Sequence, residues 1–380
     1  MRNKFFEIIG LIAIIAFAGL ACSSDSGGGG GSGGVTMDVP GTTLAEKMEF
    51  LNDPSKVRSN STYTLNFDNI ANVNETDYTP GYSEYDEDDA TWEKYYMFLE
   101  YLGKTNITIN FTGGGTIKLS SKGVLLYVGP GVTVILENIT LEGFNNNDNK
   151  LVAVDGNLIM EDGSTITGNT DTERGGGGVR VYSGGTFTMN GGSISNNKST
   201  RMDGGAGGVF VTGTGIFIMN GGTISGNTSV DSGGGVWVET DLGQEEREEE
   251  GLPFDINAKF IMNGGTISNN KAIRGGGVYV SDGAFEMNGG TISVNEASVG
   301  GGVYVNGWTD VGIDFFGVFT MNGGTIYGSD DPSLQNTVGG GSANSLRVDG
   351  SSSGAKATYS DGSDIISGGD GNIATTITGK

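Results

Sequence analysis

One unit returns along most of this chain and restricts what it can fold into. Phe260-Ile-Met-Asn-Gly-Gly-Thr-Ile-Ser-Asn-Asn270 is one copy, followed by Gly275-Gly-Gly-Val-Tyr-Val280. The Met-Asn-Gly-Gly element starts at Met189, Met219, Met262, Met287 and Met321, at spacings of 30, 43, 25 and 34 residues. The shortest spacing is the bare unit. The longer ones carry insertions, notably Glu239 to Ala258 and Asn306 to about Phe316. Imperfect copies flank the set, Met160-Glu-Asp-Gly-Ser-Thr-Ile166 and Tyr359-Ser-Asp-Gly-Ser-Asp-Ile365, and Val132 to Leu141 reads as a still earlier turn.

Within a copy the apolar residues alternate, which is the period of a strand and not of a helix. Val278 and Val280 share one face and Tyr279 takes the other; Phe260 and Met262 share a face; Ile267 stands between Thr266 and Ser268. Phe, Met, Ile and the two valines are therefore expected inside, with glycines and asparagines at the corners where the chain turns. No single coil of this kind buries its own apolar face, but stacked coils make a continuous core. The fold expected is all-β, a right-handed parallel β-helix with a small α/β N-terminal cap. The strict phase also argues against disorder as the reason for 71 glycines.

Two asparagine columns follow from the same alignment. Asn190, Asn220, Asn263, Asn288 and Asn322 occupy one corner; Asn169, Asn197, Asn227, Asn270 and Asn295 occupy another, which breaks at Ser329. Stacked in register, each amide can bond the next, so a structural ladder explains them more simply than a row of ligands.

The start of the chain is different. Met1-Arg-Asn-Lys4 is basic, Phe5 to Ala21 is apolar apart from Glu7, and Gly19-Leu-Ala-Cys22 closes the run with the chain's only cysteine. A basic start and short apolar core read as a signal peptide over 1–21. The boundary resembles the lipobox of bacterial lipoproteins, with Gly19 where the commonest form has Leu. That resemblance implies cleavage before Cys22 and diacylglycerol on its sulfur. Residues 22–36 then read as a Ser/Gly tether, and the location expected is the cell outer membrane or cell surface. One cysteine excludes an intrachain disulfide, the absence of histidine removes the commonest general base and metal ligand, and a net charge of −24 disfavours nucleic acid and anionic headgroups.

Residues 37–111 read as the cap, and 112–380 as roughly eight coils. Thr42 to Leu51 is an amphipathic helix with Leu44, Met48 and Leu51 on one face. Ser61 to Phe67 and Asn106 to Phe111 alternate as strands, Thr76 to Asp89 reads as an acidic loop, and Trp92 to Leu102 fits either helix or strand.

Phe187-Thr-Met-Asn190 and Phe285-Glu-Met-Asn288 resemble the FxxN repeat of polymorphic outer-membrane proteins. Gly-Gly-Gly-Val resembles their GGA[ILV] repeat, with Gly in place of Ala. The lipobox, the tether, the Gly41-Thr-Thr-Leu-Ala-Glu-Lys47 segment and the repeats together resemble spirochaete repeat lipoproteins. The resemblance covers most of residues 1–370 and implies a surface-associated β-helix suspected in adhesion. The amphipathic strands of an autotransporter barrel are not seen; the chain ends Thr375-Thr-Ile-Thr-Gly-Lys380.

Chemistry is sparse. β-Helix enzymes that cleave polysaccharides need clustered carboxylates. Here the outward residues beside the Phe-x-Met column are Thr188, Ile218, Ile261, Glu286 and Thr320, a single acid. Gly368-Gly-Asp-Gly-Asn372 resembles one calcium-binding glycine repeat, and one copy is weak evidence. No catalytic, cofactor or metal residues are expected. The outward residues of the Val-x-Val strand are Arg180, Phe210, Trp237, Tyr279 and Tyr304. The four aromatics form a stripe, read either as mutual stacking that stabilises the sheet or as a face for a glycan or host partner. The insertions follow this strand directly, so they either shield the stripe or flank it as a groove. The function expected is adhesion or display without catalysis; the alternatives are a polysaccharide-binding or -cleaving protein and a passive envelope protein. Ligand, orientation and oligomeric state stay open.

Overall fold

The computed structural model describes residues 34–380 apart from 69–72, 75–81, 87–90, 174, 203, 241–257, 311–312, 340, 350–354, 367–370 and 380. The signal segment, Cys22, most of the tether, most of the first insertion and the start of the 368–372 glycine repeat lie outside the described residues.

The described chain is a parallel β-helix. Three long sheets run along it, of 11, 10 and 11 strands. The Phe sheet carries strands such as Lys259–Met262, the Ile sheet carries Thr266–Ser268, and the Val sheet carries Val278–Asp282. Each coil donates one strand to each sheet and pairs in parallel with the coils before and after it. Met160, Met189, Met219, Met262, Met287 and Met321 align one on the next, and Tyr359 follows Met321. Both imperfect copies thus occupy the expected register.

The alternation decides the core. Phe260, Met262, Ile267, Val278 and Val280 are fully buried, as are their counterparts in neighbouring coils. Five phenylalanines, from Phe187 to Phe319, stack with centroids 4.7–4.9 Å apart and planes within 6–18° of parallel. This spacing is that of hydrogen-bonded strands, about 4.7–4.9 Å, so the backbone ladder and the ring stack enforce one register. The Met-Asn-Gly-Gly corner has a steric cause. Gly290 sits at φ +84°, and a Cβ there would lie 2.6 Å from Cε of Met262 in the coil below. The methionine fills the space that the glycine leaves.

The two asparagine columns differ. The first is exposed: Asn220, Asn263, Asn288 and Asn322 each donate from Nδ2 to the preceding Oδ1 at 2.8, 2.8, 2.9 and 2.5 Å. The second is buried and doubly bonded. Asn270 Nδ2 donates to Asn295 Oδ1 at 3.1 Å and to the Ile224 carbonyl at 2.9 Å, while its Oδ1 accepts from the N–H and Nδ2 of Asn227. The expected break at Ser329 is corrected. A loop intervenes, and Asn336 takes the place, its Oδ1 accepting from Asn295 Nδ2 at 2.8 Å. The column also starts earlier, with Asn147 Nδ2 donating to Asn169 Oδ1 at 3.1 Å.

The helix Leu44–Leu51 is the only one among the described residues. Thr43 caps it: its hydroxyl accepts from the Glu46 N–H at 3.2 Å, and the Glu46 carboxylate accepts from the Thr43 N–H at 3.2 Å. Leu44, Met48 and Leu51 are buried against the first coil, so the helix covers apolar surface at that end. The ladder itself begins inside the stretch read as a cap. Ser61–Asn66 and Ile107–Thr112 are strands of the Phe sheet and pair with each other in parallel, so the sheets cross position 112 without a break. The undecided segment is a strand, Thr91–Leu99, paired antiparallel with Tyr82–Asp86 inside the expected acidic loop. At the other end, antiparallel strands Gly371–Ile373 and Ile377–Thr378 close the Val and Ile sheets.

Candidate functional site

The outward column of the Val sheet is in register as expected: Arg180, Phe210, Trp237, Tyr279 and Tyr304 pair coil by coil. Facing away from the core does not leave it exposed. Phe210, Trp237, Tyr279 and Tyr304 are 3–7% accessible and form an apolar cluster of their own. Adjacent rings lie 5.0–5.5 Å apart and tilt by 27–52°. Each ring therefore packs against its neighbours. The glycine turn ahead of each strand adds cover: at Gly275, φ +62°, a Cβ would meet Tyr279 Cβ at 2.7 Å. Mutual stacking, the structural reading of the stripe, is what the rings do.

The column is longer than the repeats suggested. Phe98, Tyr127 and Ala153 precede Arg180, and Arg347 follows Tyr304. Phe98 and Tyr127 stack at 4.6 Å. These positions were recoverable from Val124-Leu-Leu-Tyr-Val128 and Leu346-Arg-Val348, which keep the apolar-x-apolar phase without the glycine triplet. Two arginines thus bracket the four-ring segment. The Arg180 guanidinium lies 4.9 Å from the Phe210 centroid and 4.8 Å from that of Tyr182.

A groove of about 500 Å³ opens over this segment. Phe210, Trp237 and Tyr279 lie beneath it. Arg180, Arg201 and Arg274 line it, with Asp231 and Glu239 among them and Met202, Asn306 and Trp308 at its sides. Met202 is 77% and Trp308 36% accessible. The second insertion supplies Trp308: it is an antiparallel hairpin, Gly307–Asp310 with Ile313–Phe316. It flanks the stripe, one of the two expected outcomes. The first insertion leaves the sheet at Glu239, where the register shifts, and 241–257 lie outside the described residues.

The groove's polar side chains are held by specific bonds. Arg274 Nη2 pairs with Asp231 Oδ1, its Nε donates to Ser232 Oγ at 3.0 Å, and its guanidinium lies 5.7 Å from the Tyr279 centroid. Asn306 bridges two rings: its Nδ2 donates to Tyr279 Oη and its Oδ1 accepts from Tyr304 Oη, both at 3.3 Å. Trp237 Nε1 donates to Ser281 Oγ at 3.0 Å, and Ser281 Oγ donates to Glu239 Oε1 at 3.0 Å. Burial pushes the Tyr279 hydroxyl up to about 12 and also raises that of Tyr304, where Asp349 adds to the effect. These phenols are neutral donors and acceptors at physiological pH.

Glu286, the one acid in its outward column, accepts from Lys259 Nζ at 3.3 Å and from Asn322 Nδ2 at 3.2 Å. Among the described residues no three His, Cys, Asp or Glu side chains gather as a metal site, and no helix is long and apolar enough to cross a membrane. No family model, curated protein or solved structure matches the chain.

Proposed function

We propose that this protein is a lipid-anchored component of the bacterial outer membrane or cell surface that binds a ligand in the groove over the outer aromatic column, without catalysis. The groove carries the reading. It interrupts an otherwise repetitive scaffold whose polar corners bond one another. Its volume of about 500 Å³ falls within the roughly 300–1,000 Å³ of small-ligand sites. Arginine, tryptophan and tyrosine, which line it, are the side chains that dominate binding hot spots. The anchor rests on the Gly19-Leu-Ala-Cys22 boundary, since acyl chains bind membranes by about 0.8 kcal/mol per buried CH₂.

Both halves are open to test with the full chain. Radiolabelled palmitate should enter the wild type and not Cys22→Ala, which should move to the soluble fraction; equal labelling would refute the anchor. On a broad array of glycans and host-matrix proteins, the wild type should bind and Trp308→Ala should lose most of the signal. Equal binding by Trp308→Ala would remove the groove from consideration.

A further inference from the structure

We infer that the groove takes an acidic saccharide, whose sugar rings carry carboxylate or sulfate groups; the inference rests on the groove being a binding site, as proposed above. Phe210, Trp237 and Tyr279 are only 3–5% accessible, and the guanidiniums of Arg180 and Arg274 lie over the Phe210 and Tyr279 rings, so the floor presents little open ring face. Stacking of a neutral sugar needs the face.

Charge points the same way. The chain carries −24 overall and has eight arginines, of which three line this groove. Arg180 and Arg274 are positioned over ring faces, so their planar forks lose little freedom on binding an oxyanion. Arg201 makes no ion pair among the described residues; its Nη1 donates to the Glu173 carbonyl at 3.0 Å. Of the two acids in the lining, Asp231 pairs with Arg274 and Glu239 accepts from Ser281. Among the described residues that line the groove, three cations against two acids leave a positive balance in a strongly acidic molecule. A charged cleft of this kind concentrates ligands of the opposite sign.

The backbone favours a saccharide over an acidic peptide. A peptide docks readily by adding a strand to a free edge. The floor strands, Val179–Val181 through Val303–Val305, each pair on both sides, so the floor presents none. A saccharide needs no edge. It brings its own hydroxyls to the Asn306 amide, and the exposed indole of Trp308 offers a side wall for a ring.

The test measures binding of the full chain to a uronic-acid oligosaccharide, to a sulfated one, to the carboxyl-reduced neutral parent and to poly-glutamate, at two salt concentrations. At least one acidic sugar should bind about tenfold or more tighter than the neutral parent. Which acidic sugar binds tells carboxylate from sulfate. Arg201→Ala should lose about tenfold and flatten the salt dependence, with Arg201→Lys recovering only part, because a lysine lacks the bidentate fork. Arg201 is chosen because, among the described residues, it bonds only a backbone carbonyl, and an unchanged unfolding midpoint controls for the fold. Neutral and acidic sugars binding equally, or Arg201→Ala binding as wild type while Trp308→Ala fails, would overturn the acidic class and leave the groove standing. Poly-glutamate binding as well as the sugars would overturn the saccharide. Binding to none of the four, with a groove-dependent signal on the broad array, would also sink the inference but not the reading beneath it; silence on both would sink both.

Discussion

Two aromatic columns run along the same coils on opposite sides of the backbone. The inner one repeats a single residue, Phe187, Phe217, Phe260, Phe285 and Phe319, with planes within 18° of parallel and accessibility of 0–1%. The outer one changes residue at nearly every coil, from Phe210 to Trp237 to Tyr279 and Tyr304, with tilts up to 52° and accessibility of 3–7%. Identical side chains at one strand spacing pack identically, and the inner column is a pure stacking device. The outer column stacks as well, but its rings differ in size and polar tips. Its tilts leave an uneven surface on which a groove can form. Repetition builds the scaffold here, and departure from repetition builds the site.

The comparison can be broken experimentally. Phe260→Ala should be the most damaging change, costing about 3–5 kcal/mol as a cavity in a fully buried core. Tyr279→Ala should cost less, because one side of its cluster meets the groove. Chemical denaturation of the two variants decides: an equal or larger loss for Tyr279→Ala would mean the outer column is the true core. The asparagine columns repeat the contrast. Asn270→Ala removes the Oδ1 that accepts from the buried N–H and Nδ2 of Asn227 and should cost about 2–3 kcal/mol, whereas exposed Asn263→Ala should stay under about 1 kcal/mol. Similar unfolding midpoints for the two would contradict the burial assigned to them.

Alkaline pH separates the columns by chemistry, since only the outer one titrates. Tyr279 is raised to about 12 in the fold, against about 10 for an unfolded tyrosine. The unfolded chain therefore releases its proton first. Stability is fully present below about pH 10 and falls as pH rises through 12, by about 2–3 kcal/mol for this one group. Tyr279→Phe should lose less stability over that window. A tyrosinate absorbance at pH 10 that the intact wild type shows and Tyr279→Phe lacks would mean that Tyr279 is not buried. A smaller gain is expected at Val294, a β-branched residue held at φ +57° where the corresponding residues Asn196 and Asn269 adopt φ of 56° and 57°. Val294→Asn should raise the thermal midpoint, by an equivalent of about 1 kcal/mol. No shift, or a fall, would mean the valine side chain contributes packing that offsets its backbone strain. Least of all should follow from Lys271→Ala, whose partner is Glu296 at 2.8 Å with both side chains more than half exposed. The expected change is under about 0.5 kcal/mol, and a larger one by denaturation would reveal a role beyond that ion pair.

Much of this architecture was legible because it is periodic. Alternation around Phe260, Ile267 and Val278 placed these residues in the core, and the Met-Asn-Gly-Gly spacing aligned coils whose register the sheets share. Where periodicity lapses, reading fails. Thr91–Leu99 lacks the repeat and could not be told from a helix, although it lies in the Val sheet. Asn336 was hidden because a loop displaces it in sequence from the corner it fills in space. Arg201, Met202 and Trp308 belong to connections that keep no phase, so no alignment would have gathered them.

The sequence by itself determined which side chains of the repeated units face in and how coils stack, because each follows from a local period repeated every few tens of residues. It also determined that Phe210, Trp237, Tyr279 and Tyr304 share a column. Only the tertiary structure decided that this outward column is buried, since that depends on the contact of rings from separate coils and on the turn at Gly275. Only the tertiary structure brought Arg201 and Trp308 to the lining of one groove, because residues far apart in the chain meet there through the stacking of whole coils.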